Sequence, residues 1–86
     1  MLFEFFSLQN VNIILMMKNL IKVERAKKNW TQAILAEKVG VSRQAINSIE
    51  TGKFIPSTLL ALKMANAFKT NVESIFQLEQ TDFSKI

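Results

Sequence analysis

The stretch that decides the reading of this chain is residues 32–50, Gln32-Ala33-Ile34-Leu35-Ala36-Glu37-Lys38-Val39-Gly40-Val41-Ser42-Arg43-Gln44-Ala45-Ile46-Asn47-Ser48-Ile49-Glu50. Thr31, just before it, is a good N-cap, because its hydroxyl can accept a free backbone N–H of a first helix. Leu35, Ala36 and Val39 then share one face at helical spacing. Gly40 stands where the chain must turn left-handed to leave that helix, a conformation glycine takes without a Cβ clash. Val41 is placed to plug the corner. Ser42 caps a second helix whose Ala45, Ile46 and Ile49 point inward, and Ala36 is small where the two helices cross.

Two short helices joined by a three- or four-residue turn containing glycine are the layout of a helix-turn-helix. The residues resemble the phage-repressor and Cro-like (XRE) family of that motif. Gln32, Ala36, Gly40, Ile46 and Ile49 stand where the family pattern has Gln, Ala, Gly and two aliphatics. The flanks are similar too: Trp30-Thr31-Gln32 before the motif, Glu50-Thr51-Gly52-Lys53 after it, and Pro56-Ser57 ahead of a fourth helix. The resemblance covers residues 17–78. It implies an all-α, lambda-repressor-like domain of five helices that binds duplex DNA. A small β-ribbon from the N- and C-terminal segments is a further expectation.

Composition narrows the alternatives. Eighty-six residues, 49% of them apolar, make one small domain with one core and no room beside it for a sensor or catalytic domain. There is no cysteine and no histidine, which removes disulfides, zinc fingers, thiol nucleophiles and the commonest general base. The carboxylates are scattered, so no metal, cofactor or enzymatic activity is expected. The net charge is +4, and residues 17–55 hold eight Lys/Arg against three Glu, whereas residues 56–86 are balanced at three against three. The positive excess sits on the half that carries the motif, where it would attract phosphate.

Residues 1–16 differ from the rest. They are apolar with one charge, Glu4, and lie outside the resemblance. They lack the positive start and small-residue cleavage site of a signal peptide, and their polar interruptions make a poor membrane span. Three readings stay open: an extension from an upstream start codon, a strand or helix that packs on the domain (Val11 to Leu15 is strand-like), or an anchor. After them come a first helix near residues 20–28 with Ile21 and Ala26 inward, the motif, and an extended link at Phe54-Ile55-Pro56. A fourth helix near 58–68 follows, with Leu59, Leu62, Ala65 and Phe68 at core spacing. A short fifth helix near 72–76 precedes a polar tail, residues 79–86. Trp30 and Met64 read as core.

Function is expected at the start of the second motif helix, whose N-terminal residues meet base edges in the major groove. These are Ser42, Arg43, Gln44, Asn47 and Ser48; Arg suits guanine, and Gln or Asn suits adenine. Thr31 and Gln32 lie at the N-terminus of the first motif helix, where free N–H groups and the dipole suit a phosphate. The resemblance adds that such a glutamine bridges phosphate and the reading helix. Lys53 and the backbone around Gly52 are the other expected phosphate contacts. The resemblance also implies that Arg25 and Glu50 meet as a largely buried ion pair. The sum is a cytoplasmic regulator, a repressor first, acting on double-stranded DNA as a homodimer through surface near Phe68, Val72 and Phe76. Two alternatives use the same fold: a DNA-binding antitoxin, or a protein-interaction module that has lost DNA binding.

Overall fold

Hydroxyl caps open three of the four α-helices of the computed structural model, which describes residues 18–79. The elements are strand β1 (Lys18–Asn19), helices α1 (Ile21–Lys28), α2 (Gln32–Val39), α3 (Arg43–Glu50) and α4 (Thr58–Phe68), a 3-10 turn (Val72–Ser74) and strand β2 (Phe76–Gln77). The Thr31, Ser42 and Ser57 hydroxyls accept the N–H groups of Ile34, Ala45 and Leu60, each at 3.1 Å. Each bond satisfies a donor that the first helical turn leaves free. Gly40 ends α2 at φ 78°. Gly52, at φ 80°, closes α3: its N–H donates to Ile49 O at 3.1 Å, and the Lys53 N–H donates to Ser48 O at 2.9 Å. That pair of bonds is a Schellman closure, and it requires the left-handed residue at Gly52.

The core is built from one face of each element. Ile21, Leu35, Ile46, Ile49, Met64 and Ile75 are fully enclosed, with Ala36, Val39, Ala65, Phe68 and Phe76 around them. Burying each large side chain stabilises the fold by about 1.5–3 kcal/mol. Val41 packs on this core at the corner of the motif, and Trp30 covers its edge. The strands pair antiparallel, Lys18 with Gln77 and Asn19 with Phe76, and bring the two ends of the described chain together.

The structure corrects several expectations from the sequence. Ala26 is exposed. It lies about 140° around the helix from Ile21, at 3.6 residues per turn. The inner face of α1 carries Arg25 instead. On α4, Leu59 and Leu62 are 64% and 54% exposed, and the buried stripe is Met64, Ala65 and Phe68. The expected fifth helix is a single 3-10 turn followed by β2, so four α-helices are present among the described residues. Phe68 and Phe76 belong to the core and offer little surface to a partner. Residues 1–16, with the strand expected at Val11 to Leu15, and residues 80–86 of the tail lie outside the described residues.

Candidate nucleic-acid interface

The candidate reading face is assembled from the N-terminal ends of α2 and α3. Its centre is Gln32, the first residue of α2. Gln32 Nε2 donates to Asn47 Oδ1 and to Glu50 Oε1, each at 3.1 Å, while its Oε1 accepts from Arg43 Nη1 at 3.4 Å. Positions 43, 47 and 50 lie on one face of α3 by helical spacing, so one amide fastens α2 to three positions along the length of α3. It also limits where Arg43 and Asn47 can point. Both are exposed, as is Gln44 beside them.

Beneath this amide lies a charged anchor. Arg25 Nε donates to Glu50 Oε2 at 2.6 Å and Nη2 to Glu50 Oε1 at 3.1 Å, a two-point fit of guanidinium to carboxylate. The side chains are 14% and 7% exposed. Arg25 Nη1 also donates to Trp30 O at 2.9 Å, so one side chain ties α1, the turn before α2 and the end of α3. The pair neutralises Glu50, the one carboxylate of α3, beside this candidate face, where a bare negative charge would repel phosphate.

The remaining candidate residues have mixed positions. Thr31 and Ser42 accept cap bonds, and each hydroxyl keeps its own hydrogen to donate outward. Ser48 is half-buried. The Gly52 and Lys53 N–H groups are both bonded within the turn, so the Lys53 ammonium, and not the turn's backbone, faces outward. Sequence reasoning missed Asn19. Its Nδ2 donates to Ile49 O at 2.9 Å and its Oδ1 accepts from the Ile21 N–H at 3.3 Å, which locks the last turn of α3 to the start of α1. An asparagine just ahead of a helix was the available signal. No cluster of His, Cys, Asp or Glu fit to hold a metal occurs among the described residues, and none of their helices is long and apolar enough to cross a membrane.

A helix-turn-helix family model, HTH_3, matches residues 21–75, from the start of α1 to the residue before β2. This chain belongs to that XRE-like family of helix-turn-helix regulators. An uncharacterized HTH-type transcriptional regulator of Bacillus subtilis is 47% identical over 64 residues, spanning 74% of this chain and 97% of the relative. One from Methanocaldococcus jannaschii is 50% identical over 66 residues, spanning 77% of this chain and 100% of the relative. The crystal structure of the hypothetical transcription factor NHTF from Neisseria matches this helix-turn-helix regulator with a TM-score of 0.63. The match covers 91% of this chain and 87% of that one at 20% identity, and bears on fold alone.

Proposed function

We propose that this helix-turn-helix regulator binds a short palindromic operator in duplex DNA as a homodimer and represses by occupying it. The observation that carries this reading is the Gln32 network, which holds Arg43 and Asn47 outward at the start of α3, beside the exposed Gln44. Arg43 suits guanine O6 and N7, and Gln44 and Asn47 suit adenine. Ser42 and Ser48 supply weaker contacts at the edges. Gln32, Thr31 and Lys53 position the phosphate backbone, with Gly52 contributing geometry only. One reading helix covers too few base pairs to single out a genomic site. A second copy supplies the other half-site about 34 Å away. The exposed Leu59 and Leu62 of α4, with Leu78 after β2, are the apolar surface available for that pairing. Such a protein acts in the cytoplasm, where its operator lies.

Selection of bound duplexes from a random pool, with sedimentation of the free protein, tests this. The expected result is an enriched inverted repeat and a dimer. Folded protein that enriched no sequence at low salt would overturn it.

A further inference from the structure

Three helices end around one broad cleft, at the opposite end of α2 from Gln32. Lys28 is the last residue of α1, Lys38 and Gly40 end α2, and Lys69 caps α4. The cleft holds about 660 Å³. Lys28, Lys38, Lys63 and Lys69 line it against a single carboxylate, Glu37. Among the described residues, none of these five is in an ion pair. The half-buried indole of Trp30 also lines it, stacked on Phe68 with 5.4 Å between ring centroids. The Lys38 and Lys28 ammonium groups stand 4.8 and 5.8 Å from the indole centroid.

A lysine in the last turn of a helix is ordinarily explained by the helix dipole. That accounts for Lys28, Lys38 and Lys69 one at a time. It does not account for Lys63, in the middle of α4, or for the convergence of all four. The magnitudes also favour an anion. Three helix ends contribute about −0.5 each, roughly −1.5 together. The side chains contribute four positive charges against one negative. The cleft stays positive, with the Lys38 and Lys28 ammonium groups beside the indole and Lys63 and Lys69 completing the basic lining. A duplex would bring phosphates to the lysines, but its apolar groups, the thymine methyls and sugars, lie on or within the grooves of a stiff rod and cannot reach the indole in a cleft as a side chain does. A peptide with carboxylates around an apolar side chain satisfies both.

We infer that this cleft docks an acidic segment of a partner protein, with carboxylates on the lysines and one apolar side chain against Trp30 and Ala67. The inference does not depend on the DNA reading, since peptide and duplex are measured separately. Trp30 is the sole tryptophan and there is no tyrosine, so intrinsic emission reports the cleft directly. The probe is a short acetylated peptide of glutamates flanking one leucine, titrated into the full chain, with calorimetry alongside. A saturable change in emission is expected, absent when lysines replace the glutamates. In K28E/K63E the affinity should fall about tenfold, the order expected when exposed ion pairs become repulsions. Duplex binding should hold. The milder K28Q/K63Q pair should show a smaller loss in the same direction, which guards against a folding artefact. An unchanged emission, or a response that survives both variants, would overturn the proposal. So would a tenfold loss of duplex affinity in K28E/K63E, which would make the cleft a second DNA contact.

Discussion

The two ends of α2 are polar in different ways. At its start, Gln32 sits in a network of fixed hydrogen bonds backed by the Arg25–Glu50 pair. At its end, four lysines line a cleft with Trp30 and have no ion-pair partner among the described residues. The start has fewer free cations but more geometry. Reading bases requires side chains held in place, whereas a cluster of ammonium groups supplies attraction without register. The positive balance of residues 17–55 therefore does not by itself mark the candidate reading face, because two of its eight cations, Lys28 and Lys38, lie in the cleft and a third, Arg25, is paired with Glu50.

The largest expected effect tests whether the start of α2 is held rigidly. Glu50→Ala and Arg25→Ala, made separately, should each cost about 3–5 kcal/mol in denaturant unfolding, because the partner charge is left stranded. At the other end, Lys63→Gln should change stability by no more than about 0.5 kcal/mol. Similar small losses at both ends would erase the contrast.

A somewhat smaller loss separates the two sides of α4. Met64→Ala should cost about 2–5 kcal/mol through the cavity it leaves. Leu62→Glu should leave the fold intact and shift the protein to monomer in sedimentation. A dimer that tolerated Leu62→Glu would place the pairing surface elsewhere.

Smaller still is the electrostatic difference on DNA. Lys53→Ala should weaken every duplex evenly and lower the slope of log affinity against log salt by about one. Lys63→Gln should leave that slope unchanged. The smallest effect belongs to residues 1–16: a chain beginning at Met17 should bind duplex within about threefold, under 1 kcal/mol, of the full chain.

Much of this was legible in the sequence, for identifiable reasons. Thr31, Ser42, Ser57 and Gly40 each have a local job that few residue types can do, so the helix limits read directly. The inner face of α4 read only in part: Met64, Ala65 and Phe68 are buried as expected, while Leu59 and Leu62 are exposed. Its sequence from Thr58 to Phe68 is apolar nearly all round, so both the Leu59–Leu62 side and the Met64–Phe68 side fit helical spacing. On α1 the family resemblance placed Arg25 inward, as it is, whereas helical spacing alone also put Ala26 inward, and Ala26 is exposed. The short segment from residue 72 to 76 is held by tertiary bonds, such as Leu20 N–H to Ile75 O at 2.7 Å, which local propensity does not contain. At the reading face, the residue types and spacing were visible, but the way Gln32 joins Arg43, Asn47 and Glu50 was not.

The most direct test of the central claim, that the Gln32-held face of α3 reads bases, is a mismatch titration. Wild-type protein and Arg43→Ala are each titrated against the selected operator and against every single-base-pair change within one half-site. The prediction is that Arg43→Ala loses about 1–3 kcal/mol on the operator and becomes indifferent to the base at one position, while keeping its discrimination elsewhere. A variant that lost affinity equally on all sequences, or kept full discrimination at every position, would contradict the account.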